Sequence, residues 1–231
     1  MTRHSEVLRS KIDLLLPQLT ATARRLWSSP RLDELYPEYL CMMHTAIRST
    51  VPLMECALER SRQLAGHDPV APALVTYLAR HIREEAGHDE WLRQDLAALG
   101  RDPDEPLRRL PDGAVANLVG AQYYWIRHYH PVCLLGHVAV LEGNPPSREL
   151  PAEIMRRTGF PQAAFRTLER HAALDVRHRD ELMRTIDDLP LTPQLNTAMG
   201  LSALHSVDAA NRALTAVIDA RHIPVPATAE A

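Results

Sequence analysis

The stretch HAALDVRHRDEL, residues 171–182, places His171, Asp175 and His178 at intervals of four and three residues. On a helix of about 3.6 residues per turn these intervals return to nearly the same angle, so the three side chains share one face. The same line runs through Leu168 before the triplet and Leu182 after it. An apolar stripe whose centre is polar predicts a helix that carries a polar site into the core of a helical protein.

A second stretch, RHIREEAGHDEWL at residues 80–92, repeats this arrangement. Its stripe reads Leu78, His81, Glu85, His88 and Leu92, and its centre is again two histidines and a carboxylate. A weaker third case occurs in HPVCLLGHVAVLEG at residues 130–143, where an apolar line ends in the acid Glu142.

These three polar interruptions predict a metal site. A buried unpaired charge costs several kcal/mol, so the acids need a common partner, and one or two divalent ions would also accept imidazole nitrogens. A single helical histidine, or a single Glu-x-x-His, is more often an ordinary core or surface feature; the two stripes together with Glu142 favour the metal. Imidazole and carboxylate donors without cysteine suit iron or manganese better than structural zinc. Acids off these lines, such as Glu84 and Asp89, are interpreted as supporting or solvated groups.

The rest of the chain predicts an all-α protein. Prolines separate long segments whose apolar residues recur at three and four, and the short connections favour a single-domain, seven-helix up-and-down bundle. We expect one domain over residues 1–223 and a disordered tail over 224–231, with a bend or break near Pro17 and a kink at Pro131. The predicted helices are 5–27, 34–64, 72–99, 114–142, 152–158, 161–186 and 193–222.

Charge and composition exclude several classes of function. The net charge is −3 with both signs scattered, so no basic stripe for a nucleic-acid partner is present. No segment approaches the roughly 20 apolar residues of a membrane span, and we expect a cytoplasmic protein without a membrane partner. The three cysteines lie singly in apolar helical patterns and are interpreted as buried thiols, not as disulfides or catalytic groups.

The polar residues in order, Glu85-x-x-His88, Glu142 and His171-x-x-x-Asp175-x-x-His178, resemble the ligand pattern of the heme-oxygenase-like diiron oxidases and oxygenases. The likeness covers the order and spacing of the ligands and the seven-helix layout. It implies that these six residues hold two iron ions, with one carboxylate bridging them. His81 has no clear counterpart in that pattern, and a supporting role is favoured over a direct bond to iron. The last element differs from the second Glu-x-x-His of ferritin-like bundles, which argues against a ferritin-like protein.

The resemblance also implies an activity. The iron centre would use dioxygen as co-substrate to oxidise a small molecule, an amino acid or a derivative in a biosynthetic pathway, by N-oxygenation, desaturation or C–C cleavage. An external electron donor and a homodimer are both compatible with this interpretation. We expect His44, Arg48, Tyr124 and His128 to contact the substrate, although a surface salt bridge at Arg48 and plain aromatic packing are the alternatives.

Two other functions remain open at this level. The same fold serves thiaminase-like hydrolases and cofactor-free oxidases, which need a nucleophile in the pocket or a cofactor-like substrate. A non-enzymatic metal-binding bundle is the third interpretation. Heme ligation through His44 ranks below these, because it leaves both polar stripes without a partner.

Overall fold

The computed structural model describes residues 3–220, and this part of the chain is helical without a β-strand. The end of the last predicted helix, at position 222, and the predicted disordered tail lie outside the described residues. A 3-10 turn, Gln162–Phe165, leads directly into the tenth α-helix. The α-helices are α1 (His4–Ser28), α2 (Leu32–Ile47), α3 (Thr50–Leu64), α4 (Ala71–Glu85), α5 (His88–Ala98), α6 (Glu105–Arg108), α7 (Gly113–His128), α8 (Cys133–Leu141), α9 (Leu150–Thr158), α10 (Arg166–Asp188) and α11 (Pro193–Asp219).

The all-helical class is confirmed, but the predicted number of seven helices was wrong. Three of the seven predicted segments are each divided into two helices, giving the pairs α2 and α3, α4 and α5, and α7 and α8. The short helix α6 adds one more within a segment that was predicted to be a loop. Helix α1 continues through Pro17 without a break.

Each division has an identifiable cause. Pro52 lacks a backbone N–H and its ring crowds the carbonyl of Arg48, where α2 ends. Gly87 adopts a left-handed backbone with φ of 84° between α4 and α5, a conformation that glycine reaches without steric cost. The predicted kink at Pro131 is a full break, and His130 Nδ1 accepts a hydrogen bond from the Val132 N–H there at 3.0 Å.

Two apolar cores occupy different parts of the structure, and the polar stripes cross from one to the other. On α10, Leu168 belongs to the second core and Leu182 to the first. Along α4 and α5 the order is reversed, because Leu78 belongs to the first core and Leu92 to the second. The polar middle of each stripe therefore lies between the two cores.

Helix α8 is buried on all sides from Cys133 to Val140. It packs so tightly on α11 that a Cβ atom added to Gly136 would lie 2.1 Å from the carbonyl oxygen of Met199. Glu142 follows directly after this helix and is itself only 8% exposed. The position of this acid is therefore fixed by the packing of the molecule's centre.

Within residues 3–220, no helix combines the length and the apolar character that crossing a membrane requires. The strongly apolar helix α8 has only nine residues, about half of what a bilayer span needs.

Candidate metal centre

The structure brings the polar residues of both stripes together with Glu142. One group consists of His81, Glu85, Glu142 and His178, and each residue has a potential ligand atom within 4.8 Å of those of the others. A second group, defined by the same limit, consists of Glu85, His88 and His171. Glu85 is the member that the two groups share.

Distances within the groups are short. His81 Nε2 lies 2.9 Å from Glu142 Oε1, and His88 Nδ1 lies 3.0 Å from Glu85 Oε2. His178 Nδ1 lies between the two acids, 3.4 Å from Glu85 Oε1 and 3.7 Å from Glu142 Oε2. Such a convergence of imidazoles and carboxylates is typical of an iron or manganese site.

The break at Gly87 has a direct role in this arrangement. His81 and Glu85 lie on the last turns of α4, whereas His88 is the first residue of α5. The left-handed glycine changes the direction of the chain between Glu85 and His88, so each residue contributes to the centre from a different helix axis. The unbroken helix α10 supplies His171 and His178.

His171 is prepared for metal binding by its own helix. Its Nδ1 donates a hydrogen bond to the Thr167 carbonyl oxygen at 2.9 Å. The neutral ring then carries its proton on Nδ1 and leaves the lone pair of Nε2 free. Burial lowers the pKa of His171, which favours this neutral form. Fixing a ligand's tautomer through a backbone carbonyl is the usual arrangement around protein-bound metals.

The three carboxyl groups respond differently to their surroundings. Burial, followed by the charges of Glu142 and Glu85, raises the pKa of Asp175 to about 8. Burial also raises the pKa of Glu142 above its ordinary value. At Glu85 burial acts in the same direction, but the neighbouring His88, together with His81 and His171, outweighs it and lowers the pKa. Glu85 is therefore the carboxylate of the three that stays ionised most readily.

His81 and His178 differ in the same way. Burial opposes protonation of His81, but its hydrogen bond to Glu142 and the nearby acids raise its pKa overall. Burial lowers the pKa of His178, and the charge of His81 lowers it further. In the absence of a cation, His81 therefore partly neutralises the buried acids.

Unpartnered polar atoms show that a cation fits these residues. Among the buried side-chain atoms without a hydrogen-bond partner in residues 3–220, three belong to the two ligand groups and two belong to the neighbouring acids Glu84 and Asp175. Such atoms are rare and costly in protein interiors, and a metal ion would satisfy them together. They are Glu84 Oε2, His88 Nδ1, Glu142 Oε2, Asp175 Oδ1 and His178 Nδ1.

Of the six ligands predicted from the sequence, five fall into the two groups and Asp175 lies outside both. Asp175 is nevertheless 4% exposed, and Glu142 and Glu85 both influence its titration. The structure also places His81, which was predicted to have a supporting role, among the potential ligand atoms of the first group. Glu84 lies outside the groups, with its Oε2 3.6 Å from both His81 Nδ1 and His178 Nε2.

An apolar cavity of about 320 Å³ adjoins the centre. Glu85, Glu142 and His171 form part of its wall, so a molecule in the cavity would reach the candidate ligands. Aliphatic residues and methionines make up most of the remaining wall, and they come from α1, α2, α8 and α11 among other elements. The wall includes neither lysine nor arginine. The cavity suits a small molecule with a largely apolar surface.

The four residues predicted to contact the substrate do not line this cavity. Tyr124 is 63% exposed, and its ring lies 5.0 Å from that of His128, which is also exposed. His44 is buried, with neither ring nitrogen hydrogen-bonded, and Arg48 ends α2. The sequence analysis selected polar residues by type, whereas the wall of this cavity is mostly apolar, and the contact of these four residues with a substrate stays a prediction.

Two polar residues near the centre were missed by the sequence analysis. Asp95 is fully buried on α5 and accepts hydrogen bonds from the backbone N–H groups of Arg166 and Thr167, at 3.2 and 3.0 Å. It thereby holds the start of α10, the helix that carries His171. Asp95 follows His88 by seven residues, so it continues the polar stripe and could have been noticed. The other residue, His137, lines the cavity from α8, which has no polar face to reveal it.

Comparison with known proteins agrees with this geometry. A family model described as iron-containing redox enzyme matches residues 62–211, a range that contains every candidate ligand. No curated protein is significantly similar to the chain.

Two solved structures establish the fold. A domain of unknown function with a heme oxygenase-like fold, from Shewanella denitrificans, has a TM-score of 0.78 at 15% identity, over 94% of this chain and 93% of that one. A TenA homolog from Pseudomonas syringae pv. tomato has a TM-score of 0.73 at 16% identity, over 93% of this chain and 92% of that one. The heme-oxygenase-like fold predicted from the sequence is thus confirmed.

Proposed function

Because the chain belongs to the family of iron-containing redox enzymes, we propose that it is a nonheme diiron enzyme that oxidises a small molecule with dioxygen. The observation that carries this proposal is the pair of ligand groups joined at Glu85 beside a cavity. Two groups that share one carboxylate are the arrangement expected when a carboxylate bridges two ions.

The ligands divide between the two ions accordingly. One ion would be held by His81, Glu142 and His178, and the other by His88 and His171, each of them together with Glu85. Asp175 is buried beside both groups with an unpartnered oxygen, and we assign it as a further ligand. The bound irons would supply the capacity to activate dioxygen for oxidation of the substrate.

The protein's own residues perform three tasks in this proposal. The Thr167 carbonyl keeps the proton of His171 on Nδ1, so that Nε2 stays available. Asp175 retains its proton near neutral pH until a cation replaces it. The apolar wall excludes bulk water from the side of the centre where the substrate would bind, which suppresses competing reactions.

The volume and composition of the cavity bear on the class of substrate. A volume of about 320 Å³ accommodates a small molecule, in agreement with oxidation of an amino acid derivative by N-oxygenation, desaturation or C–C cleavage. The wall contains no lysine or arginine that could pair with a carboxylate of the substrate. A substrate whose free carboxylate lies away from the metal is therefore disfavoured. An external electron donor would act on the same centre if the reaction consumes additional electrons.

A thiaminase-like hydrolase is the second candidate, because a TenA homolog shares the fold. That activity needs a nucleophile in the pocket, and no cysteine is part of the cavity wall. Burial raises the pKa of both Cys41 and Cys133 to about 12, which disfavours the reactive thiolate. Cys56 is only partly buried, with its Sγ 3.5 Å from the Arg127 side chain.

Anaerobic titration with Fe(II) tests the proposal. We expect the metal-free protein to take up two irons per chain, with a Mössbauer spectrum of two coupled ions after exposure to oxygen. Glu85→Gln should lose this coupled signature, because it removes the shared carboxylate, whereas Glu59→Gln on the exposed face of α3 should retain it. An uptake of no iron, or oxygen consumption that persists after complete chelation, would overturn the assignment.

A further inference from the structure

His137 is a buried histidine of the cavity wall that the proposed iron chemistry does not use. It is 5% exposed and lies in the middle of α8. Its Nδ1 lies 2.9 Å from the hydroxyl oxygen of Ser206 on α11. Among residues 3–220, the only side-chain hydrogen bond of His137 is this one, and Nε2 at the other edge of the ring is not among the fully buried polar atoms of the cavity wall.

The surrounding hydrogen bonds determine which nitrogen carries the proton. The Ser206 hydroxyl donates its proton to the Ser202 carbonyl at 2.9 Å, so its oxygen can only accept from other groups. It accepts one hydrogen bond from Gln122 Nε2 at 3.3 Å, and Ser202 Oγ donates to Gln122 Oε1 at 3.0 Å, which fixes the orientation of that amide. His137 must therefore donate to Ser206 through a protonated Nδ1. The lone pair then lies on Nε2.

The charge state of His137 agrees with this assignment. Burial, with a smaller contribution from the nearby His205, lowers the pKa of His137 to about 4. The ring is neutral in the physiological range and offers one hydrogen-bond acceptor. A ligand in the cavity that carries an O–H or N–H group can supply the donor for this acceptor.

We propose that His137 Nε2 accepts a hydrogen bond from a hydroxyl or amine group on an otherwise apolar substrate. This inference rests on the proposed function, because it takes the cavity beside the iron ligands as the place of reaction. His137 and Glu142 both line this cavity, so one small molecule can reach both. The proposal narrows the substrate class to molecules with an apolar body, which excludes a free zwitterionic amino acid.

Calorimetric titration with two matched probes tests the proposal. 1-Octanol carries a hydroxyl donor, and 1-methoxyoctane has a similar apolar body without one. We expect wild-type protein to bind octanol about fivefold more tightly than the ether, the value of one net hydrogen bond of about 1 kcal/mol. His137→Phe should abolish this preference, whereas His67→Phe, at an exposed position outside the cavity wall, should preserve it. The titrations are made with both the metal-free and the anaerobic Fe(II)-loaded protein. In the loaded protein the acids of the wall are engaged by iron, so a preference for octanol that persists there is due to the histidine.

Nitrogen-15 NMR of the histidine rings provides a second readout. We expect His137 Nε2 to be unprotonated in the free protein and to shift when octanol, but not the ether, is added. If His137→Phe does not fold, Ser206→Ala replaces it, because this change frees the tautomer of His137 and should weaken the preference for octanol. The proposal is wrong if the variants keep the full preference, if neither probe binds, or if Nε2 carries the proton.

Iron uptake and oxygen consumption are measured on the same samples. A protein that binds no iron but shows a His137-dependent preference for octanol would contradict the proposed function and leave the recognition role standing. A protein that binds two irons and reacts with oxygen, but shows no such preference, would support the proposed function and contradict the role of His137 in recognition.

Discussion

Asp175 is a buried carboxyl group whose raised pKa makes metal-free stability depend on pH. Between about pH 4, where the unfolded chain loses this proton, and about pH 8, where the folded protein does, only the folded state holds it. Stability contributed by the protonated form is therefore lost as pH rises through this window, by up to about 1.4 kcal/mol per pH unit. We expect Asp175→Asn to reduce this slope in urea unfolding of the metal-free protein, although Glu142 and His81, whose pKa values are also raised, contribute to it in the same direction.

The control for this measurement is Asp188→Asn, on the exposed part of the same helix, which should retain the wild-type slope. An Asp175→Asn protein with the wild-type dependence on pH would show that another group is responsible.

His81 presents a choice between ligand and supporting residue that stoichiometry can settle. His81 belongs to one ligand group and not to the other. If His81 is a ligand, His81→Ala should bind one iron tightly instead of two, while the exposed His67→Ala should bind two. The measurement is iron content after gel filtration, followed by Mössbauer spectroscopy. If His81→Ala keeps both irons and its spectrum is unchanged, His81 is a supporting residue and not a ligand.

At the scale of elements, the glycine between α4 and α5 affects the position of the iron ligands as well as the stability of the chain. Gly87 and Gly100 both adopt positive φ, 84° and 72°, and at neither would a Cβ meet another atom within 4 Å. Alanine at either position should therefore cost a similar amount, about 1 kcal/mol in unfolding free energy. Only Gly87→Ala should also weaken iron binding, because it lies between Glu85 and His88. Equal iron affinities in the two variants would show that this break does not position the ligands.

The helix breaks show where sequence reasoning reaches its limit. The polar stripe from His81 to His88 keeps its three-and-four spacing on both sides of Gly87, so the pattern found these residues and concealed the division between them. The sequence did contain signals of the two breaks: Gly87 lies within a helical pattern, and Pro52 follows Arg48 by four residues. His137 could not be found in this way, because α8 is buried on every face and its sequence has no polar stripe.

For the whole molecule, the iron centre lies between two apolar cores, and metal removal should therefore affect global stability. With free iron at about 100 times its Kd, binding at one site adds about 2.7 kcal/mol, which corresponds to a rise in Tm of roughly 5–10 °C for a chain of this size. Differential scanning calorimetry with Fe(II) and with a chelator measures this difference. The Tm of Glu85→Gln should change far less on addition of iron. A wild-type Tm that is the same with Fe(II) and with a chelator would contradict a metal site in the folded protein.

The fold class could be predicted because apolar periodicity reports which face of a helix is buried, whatever it packs against. The division into two cores could not, because Leu168 and Leu182 look equivalent in the sequence and differ only in which core they join. The apolar cavity was missed for the same reason. Side chains that line an empty space and side chains that fill a core have the same composition.

The contrast between two walls of the cavity has a consequence for how such proteins diversify. One wall is α8, where Gly136 leaves no room for even a methyl group against α11. Another part of the wall comes from α2, where Met42, Met43 and Ile47 are all partly exposed, and methionine adapts its shape readily to a new neighbour. Lineages that change substrate would therefore vary along α2 and keep α8 constant. Directed evolution toward new substrates should begin with libraries at these α2 positions.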